Sequence, residues 1–278
     1  MAAVRRPLSL GEALRILADG PMDVLAGGTD LMPRRARIPG PARPALCVGH
    51  LGELRHVGMA GDELRIGAAC TLTELLDSPL LPPFLKQPLA GMAAPAIRNA
   101  ATIGGNVCNA SPAGDALPML YALDAVLLLQ SARGERLVPV RDFITGPGKT
   151  TLGAGELLAE IRVPLGREWR FAYHKVGTRR ANSLAKLSLY ALWDGDRGNL
   201  MDVRVALGAV APTVVRSREA EEEALRGVRQ GGEGFAAGVL ARYGALITPI
   251  DDARSSRAYR RAVTLRLLER FLKEEMGT

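Results

Sequence analysis

Met92-Ala-Ala-Pro-Ala-Ile-Arg-Asn-Ala-Ala-Thr-Ile-Gly-Gly-Asn-Val-Cys-Asn-Ala-Ser-Pro-Ala-Gly-Asp-Ala116 has neither a helical nor a strand period, and reads as one long loop of small side chains. Loops of that length in a compact domain are commonly functional or disordered, and the scarcity of charge here argues against disorder. Gly104-Gly105 lies at its centre. A second pair, Gly27-Gly28, lies about 75 residues upstream in Ala26-Gly-Gly-Thr-Asp-Leu31, directly after the strand candidate Met22–Leu25. Each pair is flanked by Thr and by a side-chain amide or carboxylate. In such loops backbone N–H groups can converge on a phosphate at a range that larger residues would block. Two of them could clamp a diphosphate, whereas one alone would pass as an ordinary turn.

Regular elements surround these loops. Ser9 with Glu12 forms a capping box, and Leu10, Ala13, Leu14 and Leu17 recur at helical spacing up to Gly20, predicting a helix over 10–19. Strands are predicted at 45–48, 63–69 and 157–163, the last stopped by Pro164, and a hairpin at 125–131 and 136–140 around Gly134. Thr71 and Glu74 form a second capping box that opens a short helix. From about 167 three long strand candidates, 169–176, 184–193 and 200–210, are separated by turn-rich stretches such as Asp194–Asn199, and two or three helices follow. The last helix begins after Ser255 or Ser256, with Tyr259, Val263, Leu267 and Phe271 on one face and Arg260, Arg261, Glu269 and Arg270 elsewhere. The pattern predicts an α+β chain with a boundary near 166, its C-terminal part an antiparallel sheet covered by helices.

Composition bounds the function. The 278 residues are 47% apolar and 23% charged, which suits a folded globular chain rather than a disordered or fibrous one. The 31 glycines and 18 prolines exceed the roughly 12% usual for the pair, so many positions need tight turns or special dihedrals. The net charge of +7 suits an anionic partner, but aromatics are only 4% and the arginines form no single stripe, which argues against nucleic acid. Cys47, Cys70 and Cys108 form no C-x-x-C, so this chain builds neither a cysteine zinc site nor a four-cysteine cluster, and the odd count points to a reducing cytoplasm. No signal-like start and no stretch of eighteen apolar residues is present, which predicts no membrane insertion.

Other chemistries fail on spacing. Gly146-Pro-Gly-Lys-Thr-Thr151 contains the end of a P-loop, but Phe143 stands where its first glycine is required. The strand at 22–25 is not followed by Gly-x-Gly-x-x-Gly, and Gly231-Gly-Glu-Gly234 follows a charged stretch. His50, His56 and His174 have no metal-ligand spacing and read as surface or packing histidines, and Ser111 lacks the context of a nucleophile elbow. So little acid–base machinery favours a protein whose chemistry belongs to a bound cofactor.

Ala26-Gly-Gly-Thr-Asp-Leu31, together with Ile97-Arg-Asn, Thr102-Ile-Gly-Gly-Asn106 and Asn109-Ala-Ser-Pro-Ala-Gly-Asp115, resembles the FAD-binding subunit of the molybdenum hydroxylases, the xanthine dehydrogenase and aerobic carbon monoxide dehydrogenase family. The likeness covers nearly the whole chain, through Glu156-Leu-Leu, Ile161-Arg-Val-Pro164, Lys175 with Arg179-Arg180, and Asp251-Asp252 with Tyr259-Arg-Arg261. It implies a PCMH-type FAD-binding domain in two α/β lobes at 1–166, followed by a carbon monoxide dehydrogenase flavoprotein-type domain at 167–278. By the same resemblance Val24, Leu25, Ala26, Gly27, Gly28, Thr29, Asp30 and Leu31, with Thr102, Ile103, Gly104, Gly105 and Asn106, would hold the FAD diphosphate through backbone donors. Asn109, Ser111 and Gly114 complete the second motif, Asp115 would bind or position the cofactor through hydrogen bonds, and Leu158 and Lys175 match further contact positions. Read from its strand alone, Lys175 is equally an ordinary solvated lysine.

The resemblance further implies an electron-transfer role with no catalytic residue in this chain. A large subunit with the molybdenum cofactor would oxidise the substrate, a small subunit with [2Fe–2S] clusters would relay electrons, and NAD would accept them from the flavin. The equivalent subunit of 4-hydroxybenzoyl-CoA reductase carries an inserted cysteine-rich loop, which is missing here between Asp115 and the hairpin. Lys175-Val-Gly-Thr-Arg-Arg-Ala with Lys186-Leu-Ser resembles bacterial xanthine dehydrogenases. A carbon monoxide or aldehyde dehydrogenase-type complex is the alternative, and a flavin-free scaffold subunit a third.

Overall fold

In the computed structural model, which describes residues 3–37, 43–179, 182–196, 199–230 and 234–277, the chain opens with β1 (Val4–Arg5), α1 (Leu10–Ala18), β2 (Asp23–Leu25), α2 (Leu31–Arg37) and β3 (Ala45–Cys47). Arg180, Ala181, Arg197-Gly198 and Gly231-Gly-Glu233 of the segments above lie outside the described residues. The strands form a parallel sheet in the order β1-β3-β2, with Val4 and Asp23 both in register with Ala45. Ser9 caps α1 by accepting from the Glu12 N–H, and the helix buries Ala13 and Leu17 against Leu46, Val48, Leu51 and Leu54.

The chain continues through β4 (Val57–Ala60), β5 (Glu63–Gly67), α3 (Leu72–Asp77), α4 (Pro83–Ala90), α5 (Pro95–Arg98), α6 (Ile103–Asn109) and α7 (Ala116–Ala122). The segment 92–116, expected to be one long loop, therefore holds two short helices, α5 and α6, which corrects the sequence reading. Thr102 caps α6, Ile103 and Val107 place one apolar row inward at the i, i+4 spacing, and left-handed Ala110 ends the helix. Two glycines in its first turn and only seven residues hid that period.

Then follow β6 (Val126–Ser131), β7 (Gly134–Pro139), α8 (Val140–Phe143), β8 (Ile144–Gly146), β9 (Lys149–Thr150) and β10 (Leu157–Pro164). The P-loop-like Gly146–Thr151 is the turn of the β8–β9 hairpin, with Gly148 at φ +66°. A five-stranded antiparallel sheet runs β4-β5-β10-β6-β7, and its central β10 buries Leu157–Ile161. These two sheets with their helices are the two α/β lobes.

The remaining elements are β11 (Arg170–Val176), β12 (Leu187–Asp194), β13 (Asp202–Gly208), α9 (Arg218–Arg229), α10 (Phe235–Leu246) and α11 (Arg257–Phe271). The three strands form an antiparallel sheet, and α9, α10 and α11 close a core around Leu189, Val205, Tyr243, Leu268 and Phe271. The inner face of α11 is turned one residue from expectation: Arg260, Thr264, Leu268 and Phe271 are buried and Tyr259 is 44% exposed. Arg260 can be inside because its guanidinium donates to Asp252 Oδ1 at 2.6 Å and to the Ala209 carbonyl at 3.2 Å.

Two compact units result, and their borders cross the chain more than once. One comprises Met1–Pro82, Ala93–Ala110 and Asp124–Leu165; the other comprises Pro83–Met92, Ser111–Leu123 and Gly166–Thr278. The second unit thus takes in α7, whose seven residues are all buried and which packs on β12 and β13.

Candidate cofactor site

In the first unit β2 delivers Ala26–Asp30 beyond the carboxyl end of the parallel sheet. None of the backbone N–H groups of Ala26, Gly27, Gly28, Thr29 or Asp30 donates a hydrogen bond among the described residues. Gly28 lies at φ +70°, where a Cβ would be strained and would also sit 2.9 Å from the Leu25 side chain. At Gly27 a Cβ would overlap the Ala100 carbonyl, so this glycine lets the first segment close onto the second. A side-chain bridge ties the same two segments: Arg34 Nη2 donates at 2.7 Å both to Asp30 Oδ2 and to Asn109 Oδ1.

The second segment has a different character. Its N–H groups are spent inside the protein: Ile103 donates to the Cys70 carbonyl at 3.1 Å, Gly104 to Ala68 at 2.9 Å, Gly105 to Thr102 Oγ1 at 3.1 Å and Asn106 to the Thr102 carbonyl at 3.0 Å. Of the expected donors Thr102–Asn106, those from Ile103 to Asn106 are thus engaged, because the first turn of α6 caps itself and joins the chain leaving β5, while the Thr102 N–H has no partner among the described residues. Gly104 is glycine for packing, since a Cβ there would lie 2.6 Å from both the Ala68 carbonyl and its Cβ. Gly105 is exposed, with only the Thr102 hydroxyl near a would-be Cβ, and Asn106 keeps a buried Oδ1 without a partner. Thr71 pairs with Thr102 as an isolated bridge, and its capping box with Glu74 is complete. Burial pushes the Glu74 carboxyl up, but the Thr71 N–H and the Arg55 guanidinium more than offset this and hold it below its ordinary value.

Residues following all three parallel strands line one cavity of 470 Å³: Arg6 after β1, Gly49 and His50 after β3, and Ala26 and Gly27 after β2, with Thr102 opposite. The carboxyl edge of a parallel sheet is where open α/β folds bind ligands, since strand ends and loop N–H groups converge there.

In the second unit Ser111 and Gly114 form the turn into α7, the Gly114 N–H donating to the Ser111 carbonyl at 2.8 Å. Asp115 stands at the N-cap of α7 without capping it. Its carboxylate accepts from Lys175 Nζ at 2.6 Å, and Lys175 also donates to the Gly91 carbonyl at 3.0 Å. Lys175 is therefore a buried ion-pair partner, its side chain 11% exposed, and not a solvated strand lysine. Burial pushes the Asp115 carboxyl above its ordinary value, which the Lys175 ammonium only partly offsets. Asp115 Oδ1 and the buried hydroxyl of Tyr173, two residues before Lys175, make no hydrogen bond of good geometry, yet the two groups face each other closely enough for the hydroxyl to help lower the Asp115 carboxyl. Leu158 belongs to the first unit, where β10 buries its side chain opposite Leu129.

Residues 1–166 match the family described as the FAD binding domain in molybdopterin dehydrogenase, and residues 172–275 match the CO dehydrogenase flavoprotein C-terminal domain. The chain belongs to the FAD-binding medium-subunit family of the molybdenum hydroxylases. It is 36% identical to the putative xanthine dehydrogenase FAD-binding subunit of Escherichia coli K12 over 80% of this chain and 79% of that one. It is 32% identical to the glyceraldehyde dehydrogenase medium chain of Sulfolobus acidocaldarius over 97% and 96%. A chain of reconstituted CO dehydrogenase from Oligotropha carboxidovorans superposes with a TM-score of 0.91 at 26% identity, covering 100% of this chain and 98% of the other.

For this medium subunit, sequence reasoning passed over Arg6, His50, Arg55 and Asn99 on the cavity, and Tyr173 beside the Asp115–Lys175 pair. His50 carried a usable signal, being two residues beyond a predicted strand end, but it read as a surface or packing histidine. Its Nε2 lies 2.7 Å from the Pro7 carbonyl, next to Arg6. Among the described residues no group of His, Cys, Asp and Glu could hold a metal ion, and no helix is long and apolar enough to cross a membrane.

Proposed function

We propose that this chain is the FAD-carrying electron-transfer subunit of a xanthine- or purine-oxidising molybdenum hydroxylase. Its cofactor domain is 1–166 and its C-terminal domain 167–278, and it works in the cytoplasm with a molybdenum-cofactor large subunit and a [2Fe–2S] small subunit. NAD is the electron acceptor. The observation that carries the cofactor assignment is the run of unspent N–H groups from Ala26 to Asp30, held open by left-handed Gly28, which suits a diphosphate. FAD, when bound, supplies exchange between one-electron and two-electron transfer. The residues of this chain bind and orient it. Ala26–Asp30 offer donors to the diphosphate, the Asp30–Arg34–Asn109 bridge keeps that loop in place, and exposed Gly105 permits close approach. In the first unit Asn106 Oδ1 is an acceptor left for a cofactor hydroxyl or N–H group; in the second, Asp115, held by Lys175, is the further cofactor contact that the family resemblance implies. Leu158 would contribute through its main chain. The purine assignment is supported by the Escherichia coli relative.

Purified protein reconstituted with FAD tests the cofactor assignment. The expected result is saturable binding with a flavin absorbance near one per chain, and slowed hydrogen exchange at 27–30 on binding. Absence of a saturable complex would overturn it. A second reading, an aldehyde-oxidising complex, is favoured by the nearly full-length match to the Sulfolobus chain. The co-purified native complex separates the two: turnover of xanthine or hypoxanthine with NAD supports the first reading, and turnover of aldehydes alone supports the second.

A further inference from the structure

Tyr173 and Lys175 stand two residues apart on β11 and so project from one face of the strand. Both meet Asp115, which is 7% exposed and receives no N–H from the helix it precedes. Lys175 divides its ammonium between Asp115 Oδ2 and the Gly91 carbonyl, and the Tyr173 hydroxyl faces the same carboxylate. The Tyr173 ring packs on that of Tyr190, its partner across β12, with centroids 6.3 Å apart, and Tyr190 is anchored by donating to the Phe84 carbonyl at 3.0 Å. Burial, and then the adjacent carboxylate, push the Tyr173 phenol above its ordinary value, so it stays protonated and acts on an ionised Asp115 only as a donor. Among the described residues no other charged group acts on Asp115. Helix α7 carries none, Lys86 of α4 does not reach it, β12 offers neutral Ser188 and Tyr190 beside this row, and His174 lies on the opposite face of β11 toward Arg270 and Glu274.

We propose that Tyr173 is a positioning residue for the cofactor, its hydroxyl holding the Asp115 carboxylate jointly with Lys175 so that Asp115 remains a hydrogen-bond acceptor at neutral pH. A buried carboxylate whose one cation is shared with a backbone carbonyl is short of donors, and a protonated Asp115 would present a hydroxyl where the cofactor needs an acceptor. Lys175 supplies the charge, and Tyr173 adds a neutral donor that costs less to bury than a second cation. The role at the cofactor rests on the FAD reading, whereas the hold of Tyr173 on Asp115 is measurable in the flavin-free chain.

The Asp115 carboxyl of the flavin-free protein would be titrated by infrared difference spectroscopy, with Asp115→Asn as the subtraction. Wild type is compared with Tyr173→Phe and with Tyr190→Phe, a control that removes another buried hydroxyl, and FAD affinity is measured on all three from mildly acid to mildly alkaline pH. Loss of one hydrogen bond to a charged group should move the Asp115 titration up by about one pH unit in Tyr173→Phe and leave it in place in Tyr190→Phe. Asp115 already lies above its ordinary carboxyl value, so a further rise brings its protonation toward neutrality. FAD affinity in Tyr173→Phe should then fall at a higher pH than in wild type and rejoin it on the alkaline side. An unmoved Asp115 titration, an equal shift in Tyr190→Phe, or a loss of FAD affinity equal at every pH would overturn the proposal. A shifted titration in a protein whose wild type binds no FAD would remove the cofactor reading and leave Tyr173 as the holder of Asp115. Should Tyr173→Phe fail to fold, the ultraviolet Raman hydrogen-bond marker of the tyrosines decides: a change on Asp115→Asn supports the contact, and no change overturns it.

Discussion

Gly27-Gly28 and Gly104-Gly105 are the same dipeptide followed by similar polar residues, yet they do opposite things. The first is an irregular loop after a parallel strand, with its N–H groups unspent from Ala26 to Asp30. The second is the opening turn of α6, with the N–H groups from Ile103 to Asn106 all consumed. Glycine serves the first by permitting a left-handed dihedral at position 28, and the second by letting a helix start against the Ala68 main chain. A repeated motif is thus no proof of a repeated role. Donor occupancy separates a segment free to bind from one that supports it.

The contrast can be broken experimentally. Gly104→Val drives a branched side chain into Ala68 and should cost about 3 kcal/mol, seen as a fall of about 10 °C in the melting temperature. A variant that melts like wild type would show that α6 does not need this approach. Gly105→Val, one residue on, points into open space apart from the capping hydroxyl, so it should weaken FAD binding by about tenfold with a smaller loss of stability. Equal effects of the two on melting would erase the distinction between supporting and facing glycines.

Smaller changes sharpen the same comparison. Thr102→Ala removes the cap of α6 and should cost about 1 kcal/mol in chemical denaturation, largely restored by Thr102→Ser. Arg34→Ala cuts the Asp30–Asn109 bridge. Because that arginine is half exposed, the expected weakening of FAD binding is only about threefold, read by fluorescence titration. The least effect belongs to Glu74, whose folded-state carboxyl is held below its ordinary 4.5. Such a group contributes stability that is fully present above that value and lost as pH falls through the lower folded one. Glu74→Gln should therefore flatten the acid limb of the stability profile, and an unchanged limb would remove Glu74 from the platform under Thr102.

Much of this was legible in the chain itself. The Ser9 cap and the Thr71–Glu74 capping box were visible because cap chemistry is local, although the Glu12 carboxylate turns to the Leu8 N–H instead of closing a box on Ser9; the β6–β7 and β11–β13 strands were visible as runs between turn signals. What escaped has a common cause in tertiary compensation. Helix α6 carries two glycines that propensity penalises, and a neighbouring carbonyl rewards them. Helix α7 shows no amphipathic stripe because all seven of its residues are buried. Arg260 occupies an interior position because Asp252, eight residues earlier, pairs with its Nη2. The site motifs stood out in the sequence, but Arg6 and His50 did not, since only the order β1-β3-β2 puts their loops on one edge.

The interleaving of the two units has a consequence for synthesis. Helix α7 leaves the ribosome well before the strands β12 and β13 on which it packs. At 5–20 residues per second, making the intervening stretch of roughly 80 residues takes about 4–16 s. During that interval an apolar helix is without the strands that cover it, a natural client for a chaperone. Translation that stops near residue 166 would leave that helix permanently without its cover, so the nascent N-terminal segment is a poor candidate for independent expression.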